Sequence, residues 1–321
     1  MIVAFSSAHK TGIQRVANAT HAIVLMAPKG TELDICRVSE VAEEAGARIV
    51  SSREVPVPVS LADRREVHAL FICCDDSESV STLLRELSDQ TGVDIALQTR
   101  RARCQPYRLA VFDMDSTLID CEVIDELAIA AGVGEQVSDI TARAMRGELD
   151  FDESFRTRLA LLEGLDASAV QTLADRLPVK EGLREMTTTL RAQGLKLAIF
   201  SGGFTSIAER LQADYGFDEI VANELEVRDG RVTGRAVPPI VNREYKVAAL
   251  QDLACRLDIP LEACIAVGDG ANDLSMMAAA GMGVAFHAKP AVRAASPIEV
   301  THCGLDGVCY LLGSEGEFAE T

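Results

Sequence analysis

Short apolar stretches alternate with segments of helical periodicity along most of the chain, which predicts a protein that mixes strands and helices. Over the first hundred residues, the predicted order is strand, helix, two strands, helix, strand. The strands are expected at 21–27, 47–55, 67–74 and 93–97, and the helices at about 33–45 and 77–90. This order is typical of a ferredoxin-like split unit.

In length and order of elements, residues 1–100 resemble an ACT-type amino-acid-sensing domain, in which the turn Pro28-Lys29-Gly30 would bind an effector. The same pattern fits a dimerisation or packing module without a ligand. We therefore expect an ACT-like regulatory or dimerisation domain here. The basic stretch from Thr99 to Arg103 is interpreted as a solvated connector to a second domain, at 101–321.

The second domain begins with the apolar run Leu109–Phe112, which is typical of a buried parallel strand. Four short helices between about 120 and 180 are expected to form a cap. Strands and helices then alternate again, with a β-hairpin at about 224–235 around Asp229-Gly230. Further strands are expected at 195–200, 220–221, 264–267, 282–285 and 298–300. The fold class is therefore α/β, with a doubly wound parallel sheet and a helical cap, preceded by an α+β unit.

Composition limits the possible partners. The chain has 321 residues and a formal net charge of −18, which argues against a nucleic-acid or anionic-membrane partner. Any anionic substrate must therefore meet local positive charge. The nine cysteines show no C-x-x-C spacing, and the N-terminus lacks a signal-peptide pattern, so we expect a cytoplasmic enzyme.

Two carboxylates follow the first strand of the second domain directly. Asp113 and Asp115 lie on the same side of an extended backbone, at the sheet edge where α/β proteins bind ligands. A carboxylate at this place can attack an electrophile or bind a metal. Capping of a following helix, which Ser116 and Thr117 could start, is the alternative.

Polar clusters also follow two later strands. Ser201-Gly202-Gly203 could hold phosphate oxygens through its hydroxyl and backbone N–H groups, or could simply be a glycine turn. The loop 268–273 offers Asp269, Asn272 and Asp273, and such oxygen ligands suit magnesium.

Two cations occupy unusual positions. Lys246 lies near the start of a predicted helix and shares a face with Leu250, so it is expected to point inward unless its stem only covers apolar surface. Arg158 interrupts the apolar stripe of Phe151 and Phe155, where it could bind a carboxylate or extend to solvent.

Together, these segments resemble the motifs of haloacid dehalogenase-type phosphatases, and within that group most closely those that act on phosphoserine. The resemblance covers about residues 107 to 312. It rests on four motifs in the same order and approximate spacing, Asp-Met-Asp-Ser-Thr at 113–117, Ser-Gly-Gly-Phe at 201–204, Lys246, and Gly-Asp-Gly-Ala-Asn-Asp at 268–273.

The resemblance implies a phosphoryl-transfer site. Asp113 would be the nucleophile and Asp115 the general acid and base. Mg²⁺ would be held by the side chains of Asp113 and Asp269 and the backbone carbonyl of Asp115, with support from Asp273. The phosphoryl group would be bound by Ser201, Gly202, Lys246 and Asn272.

The resemblance also implies a substrate, O-phospho-L-serine, hydrolysed to L-serine and phosphate in the last step of serine biosynthesis. Glu122 would bind the ammonium group and Arg158 the carboxylate, between apolar walls formed by Met145 and Phe151. L-serine is a possible effector, and a homodimer is expected. The alternatives are a phosphatase for another small phosphometabolite and a serine-sensing regulator with a vestigial phosphatase fold.

Overall fold

The computed structural model describes residues 18–28, 30–61, 64–146 and 148–318. The chain divides into two compact units, one formed by residues up to 106 together with those from 297 onward, and one formed by residues 107–296. No helix in the described ranges is both long and apolar enough to span a membrane.

The smaller unit has the predicted ferredoxin-like topology. Its strands follow the order β2-β3-β1-β4, and each neighbouring pair is antiparallel. Side chains of α1 and α2 cover one face of the sheet and form a core with residues such as Ile23 and Leu70. The N-terminal part of this unit comprises β1 (His21–Pro28), α1 (Ile35–Glu44), β2 (Arg48–Glu54), β3 (Arg65–Cys73), α2 (Ser77–Thr91), β4 (Asp94–Thr99) and α3 (Arg100–Arg103).

Local sequence explains where these helices begin and end. Asp34 and Asp76 cap α1 and α2 by accepting backbone N–H bonds from Arg37 at 2.9 Å and Ser79 at 3.1 Å. Gly92 ends α2 in the left-handed conformation. Lys29, in the turn expected to bind an effector, lies outside the described residues.

The expectation of a solvated connector at 99–103 was wrong for Arg103. This side chain is fully buried, and its Nε donates to Glu317 Oε2 at 2.6 Å. Its Nη1 donates to Gln98 Oε1 at 3.1 Å and to the Tyr310 carbonyl at 3.0 Å. A basic run predicts exposure on average, but it does not show which member has buried partners 200 residues away.

The C-terminal segment belongs to the smaller unit and not, as predicted from the sequence, to the second domain. It contains β11 (Ile298–Val300) and α13 (Gly307–Tyr310). The Asp94 carboxylate accepts backbone N–H bonds from Thr301, His302 and Cys303 at 2.6–3.1 Å. Such long-range bonds leave no periodic signal in the sequence.

The larger unit contains the predicted doubly wound sheet. Within this unit the strand order is β10-β9-β5-β6-β7-β8, parallel except for the β7–β8 hairpin. Its strands are β5 (Leu109–Phe112), β6 (Lys196–Phe204), β7 (Glu219–Arg228), β8 (Arg231–Val237), β9 (Cys264–Gly268) and β10 (Met282–Phe286). Since β5, β6 and β9 are parallel neighbours, their carboxyl ends meet at one edge of the sheet.

Helices supply the cap and the layers beside the sheet. The four helices between residues 120 and 180 are where the sequence predicts them. In chain order the helices of this unit are α4 (Val123–Ala130), α5 (Gly134–Met145), α6 (Phe151–Ala160), α7 (Ser168–Ala174), α8 (Leu183–Ala192), α9 (Thr205–Tyr215), α10 (Arg243–Arg256), α11 (Leu274–Ala279) and α12 (Pro290–Ala295).

Three local expectations need correction. No helix starts at Ser116, which has a positive φ of 60°, and the next helix begins at Val123. The strand β6 continues through Ser201-Gly202-Gly203, so α9 begins only at Thr205. The expected strand at 220–221 and the first hairpin strand are one continuous strand, β7.

Candidate active site

The polar residues at the carboxyl ends of β5, β6 and β9 line a single cleft of about 1210 Å³ between the sheet edge and the cap. The parallel strands bring these residues together from distant parts of the sequence. Nine of the predicted site residues line this cleft, namely Asp113, Asp115, Glu122, Phe151, Arg158, Ser201, Gly202, Asp269 and Asn272.

Lys246 lies fully buried beside the cleft and contacts two carboxylates. Its Nζ donates to Asp113 Oδ1 and to Asp273 Oδ1, each at 2.7 Å. Burial disfavours the charge of Lys246, but the two carboxylates outweigh this and raise its pKa. Lys246 is therefore a buried cation of the site, and the alternative of a surface lysine is excluded.

The helix that carries Lys246 is fixed at its start. Asn242 caps α10, because its Oδ1 accepts the backbone N–H of Tyr245 at 3.0 Å. Its Nδ2 donates to Asp152 Oδ1 of cap helix α6 at 3.1 Å. One asparagine thus caps the lysine-bearing helix and also binds the cap.

The site holds more negative charge than Lys246 can offset. Burial, followed by the charge of Asp273, raises the pKa of Asp113 even though Lys246 lowers it. Burial and the charges of Glu122 and Asp113 raise the pKa of Asp115 well above its usual value. Burial and Asp273 raise the pKa of Asp269 to about 6. These shifts show that a further positive charge would be bound favourably here.

Three carboxylates are grouped so that they could hold a metal ion. One oxygen each from Asp113, Asp269 and Asp273 lies within 4.8 Å of the others. Thr117 Oγ1 orients Asp269 Oδ1 at 3.1 Å, and the backbone N–H of Gly270 orients Asp273 Oδ2 at 3.1 Å. All-oxygen, anionic ligands suit a hard divalent cation, so this set fits such an ion.

The glycines after β6 bring the backbone close to Asp115. A Cβ on Gly203 would lie 2.9 Å from Asp115 Oδ2 and 2.7 Å from Met114 Cε, so only glycine fits without displacement. The N–H of Gly203 donates to Ser201 Oγ at 2.8 Å. Asp115 Oδ1 is buried and has no hydrogen-bond partner within the described ranges. Asp115 also lines the cleft, so a residue of the cleft carries an oxygen that no described group engages.

The cap presents opposite charges to the same cleft. Glu122 Oε1 accepts the hydroxyl of Ser116 at 2.9 Å. Arg158 is half-buried, and its Nη1 donates to Thr141 Oγ1 at 3.5 Å, whereas its Nε is buried without a partner in the described part of the chain. Burial lowers the pKa of Arg158, opposed by the charges of Asp125, Glu122 and Asp115. Arg158 therefore faces the cleft and does not extend to solvent.

Phe151 and Phe155 form an apolar wall of the cleft. The Phe151 ring packs over Gly202, since a Cβ added there would lie 3.2 Å from Phe151 Cζ, and it stacks on Phe155 with centroids 6.2 Å apart. Met145 is the last residue of α5, and its side chain lies outside the described part of the structure.

Sequence reasoning missed several residues at this site. Asp125, Ser154 and Lys289 also line the cleft. Asn223 lies beneath it and hydrogen bonds to Gly202. The position of Asn223, just after an expected strand, was a signal of the same kind as that of Asp113.

Comparison with known proteins agrees with this geometry. Residues 107–281 match the haloacid dehalogenase-like hydrolase family. A phosphoserine phosphatase from Mycobacterium tuberculosis is 45% identical over 230 residues, covering 72% of this chain and 56% of that protein. One from Streptomyces coelicolor is 44% identical over 245 residues, covering 76% and 60%. This chain thus spans less than two thirds of the length of either relative.

A solved structure is similar over most of the chain. The crystal structure of a haloacid dehalogenase-family hydrolase from Salmonella enterica serovar Typhi has a TM-score of 0.80 and 32% identity, covering 91% of this chain and 98% of that one. The family match extends over more than half of the sequence and includes the aspartates of the site, Ser201 and Lys246. The chain therefore belongs to the haloacid dehalogenase-like hydrolase family.

Proposed function

We propose that this protein hydrolyses O-phospho-L-serine to L-serine and inorganic phosphate through a phospho-aspartyl intermediate, with Mg²⁺ as its cofactor. The observation that carries this function is a cation of the cap, Arg158, and an anion, Glu122, lining the same cleft as Asp113. A zwitterionic amino acid bearing a phosphate matches this arrangement of charges. Support also comes from the two phosphoserine phosphatases described above, which are 44–45% identical to this chain.

Asp113 and Asp115 divide the first chemical step. A carboxylate oxygen of Asp113 attacks phosphorus, and the bond between phosphorus and the serine oxygen breaks. Asp115, protonated at this stage, donates its proton to the departing serine oxygen, which leaves as the hydroxyl of L-serine. The place of Asp115 in the lining of the cleft beside Asp113, and its raised pKa, support this role.

The second step reverses the role of Asp115. Its carboxylate takes a proton from a water molecule, which attacks phosphorus and breaks the bond to the Asp113 oxygen. Lys246 and the Ser201 hydroxyl bind phosphoryl oxygens in both steps, and Asn272, which lines the same cleft, is assigned to the same group. Inorganic phosphate and the starting carboxylate of Asp113 result.

Asp113, Asp269 and Asp273 would hold Mg²⁺, together with the backbone carbonyl of Asp115. The ion would supply positive charge that offsets the repulsion between a phosphate dianion and the carboxylates. The acidic cluster supports this assignment. Among the described residues, Lys246 is the only buried cation that contacts any of these three carboxylates, so they carry an excess of negative charge.

Substrate binding is assigned to the cap. Arg158 would bind the substrate carboxylate through its guanidinium fork, and Glu122 would accept the ammonium group. Phe151, and Met145 as predicted from the sequence, would cover the carbon chain. Binding of L-serine by the smaller unit, a homodimer and a cytoplasmic location stay predictions.

A phosphate-release assay tests the function. We expect Mg²⁺-dependent turnover of O-phospho-L-serine well above that of O-phosphoethanolamine, which lacks the carboxylate. Arg158→Ala should lower kcat/KM for phosphoserine about 100-fold, because a bidentate charge pair is lost. For phosphoethanolamine, kcat/KM should stay within about threefold of the wild-type value. Turnover of another phosphoester as fast as phosphoserine, or an equal loss on both substrates, would reject this specificity.

A further inference from the structure

We propose that Asn223 is a positioning residue of the phosphoryl site, which fixes the peptide that orients the Ser201 hydroxyl. This inference deepens the proposed function and rests on it for the role of Ser201. Asn223 lies on β7, is fully buried and is not among the residues that line the cleft, and its two side-chain hydrogen bonds go to backbone groups. It can act on the reaction only through its neighbours.

The Asn223 side chain joins two segments that supply phosphoryl-binding groups. Its Nδ2 donates to the Gly202 carbonyl at 2.7 Å, at the end of β6. Its Oδ1 accepts the backbone N–H of Val241 at 2.9 Å. Val241 immediately precedes the residue that caps α10, the helix of Lys246. One amide therefore ties the loop of Ser201 to the start of the lysine helix.

The bond to Gly202 determines which way the Ser201 hydroxyl can donate. The Gly202 carbonyl and the Gly203 N–H belong to one peptide group. Asn223 binds its oxygen, and Ser201 Oγ accepts its N–H at 2.8 Å. Because the N–H occupies a lone pair of Ser201 Oγ, the hydroxyl hydrogen is free to point to another acceptor, and Ser201 lines the cleft.

A peptide between two glycines rotates readily unless it is held. Rotation of the Gly202-Gly203 peptide would remove the N–H from Ser201 Oγ and place the carbonyl oxygen toward the cleft. A phosphate dianion would then meet an acceptor where it needs a donor. Asn223 prevents this, because its Nδ2 binds the carbonyl oxygen on the buried side.

Asn223→Asp and Asn223→Ala together separate positioning from a purely structural role, because the aspartate also adds a negative charge near the phosphoryl site and the alanine does not. The aspartate is isosteric and keeps the acceptor for the Val241 N–H, but it loses the donor to the Gly202 carbonyl. Thr205→Val is the matched control. Thr205 Oγ1 donates to the Ala222 carbonyl at 3.3 Å, so it joins the start of α9 to β7 next to Asn223 without contacting Gly202.

The readout is product inhibition measured separately for the two products. Inorganic phosphate reports on the Ser201 loop, whereas L-serine reports on the cap residues. In Asn223→Asp we expect the inhibition constant of phosphate to rise about 10- to 100-fold, as for loss of a hydrogen bond to a charged group. That of L-serine should stay within twofold. Thr205→Val should change neither inhibition constant by more than twofold, at a loss of Tm comparable with that of Asn223→Asp.

Equal changes for both products in Asn223→Asp, or a change for neither, would overturn the proposal. Asn223→Ala, which lacks both hydrogen bonds but adds no charge, should show the same selective rise for phosphate. A rise in Asn223→Asp alone would show repulsion by the new carboxylate and would also overturn the proposal. Calorimetric binding of inorganic phosphate with Mg²⁺ does not depend on which phosphoester is the substrate. If the wild-type protein binds phosphate but does not hydrolyse phosphoserine, the proposed function fails while the role of Asn223 is still tested.

Discussion

Both units of this protein bury charged side chains, but the two groups differ in how far positive and negative charges balance. In the smaller unit, Arg65 and Asp306 are each 2% exposed and form two parallel bonds at 2.8 and 3.0 Å. In the larger unit, Lys246 hydrogen bonds to Asp113 and Asp273, and Asp115 and Asp269 lie close by. The first arrangement balances its charge, and the second carries an excess of negative charge.

This difference separates structural from functional buried charge. A matched, doubly hydrogen-bonded pair adds specificity to a fold and needs no ligand. An unbalanced cluster with an unpartnered Asp115 oxygen costs stability, and the cost is offset when a cation and a phosphate bind. Burial alone does not distinguish the two, whereas counting partners does.

The largest expected effect is on turnover. Asp113→Asn keeps the volume of the side chain but removes the attacking carboxylate, so we expect phosphate release to fall at least ~10⁴-fold. Tm should change little, because the substitution removes one of the mutually repelling charges while Lys246 keeps Asp273. Mg²⁺-dependent turnover that survives in this variant would contradict the assignment of the nucleophile.

The matched pair of the smaller unit should behave in the opposite way. Arg65→Met leaves Asp306 buried and uncompensated, and we expect the free energy of unfolding in urea to fall by about 3–5 kcal/mol. Phosphate release per folded molecule should be unchanged. The double variant Arg65→Met/Asp306→Leu should regain most of the stability. If the double variant is as unstable as the single one, the pair itself stabilises the fold.

A smaller effect is expected in the pH dependence of the metal-free protein. The folded pKa of Asp269 is about 6, above its usual 3.8. The folded state therefore binds more protons than the unfolded state between these values, so stability should fall as pH rises through this window, by about 3 kcal/mol.

Mg²⁺ should reverse this trend, because a bound ion favours ionised carboxylates and binds more tightly as pH rises. Chemical denaturation at pH 4 to 6.5, with Mg²⁺ or with a chelator, measures the effect. Asp269→Asn is the control, since it removes the titrating group. A metal-free protein whose stability rises through this range would contradict an excess of negative charge in the cleft.

The sequence predicted most of this architecture because its signals are local. Apolar periodicity located the strands that end at Phe112, Phe204 and Gly268, although it placed the end of the second at residue 200. Parallel pairing then required their polar ends to converge. Glu122 and Arg158 were found by their places in the cap helices and by resemblance to a family.

The remaining features depend on contacts between distant segments. Arg103 belongs to a basic run that predicts exposure, yet it is buried and its partner Glu317 is far away in the chain. The carbonyl and N–H that Asn223 binds belong to the backbone, so no residue type in the sequence marks them. Periodicity predicts which face of an element is buried, but it does not identify the partner of a buried polar group.

The most direct test of the central claim is to identify the atom that carries the phosphoryl group during turnover. The protein is mixed with O-phospho-L-serine and Mg²⁺, quenched in acid within milliseconds, digested and analysed by mass spectrometry. A phosphoryl group on Asp113, absent in Asp113→Asn and lost on treatment with hydroxylamine, is the result we predict. A phosphoryl group on Ser116 or Ser201, or no phosphoenzyme at any time during turnover, would contradict it.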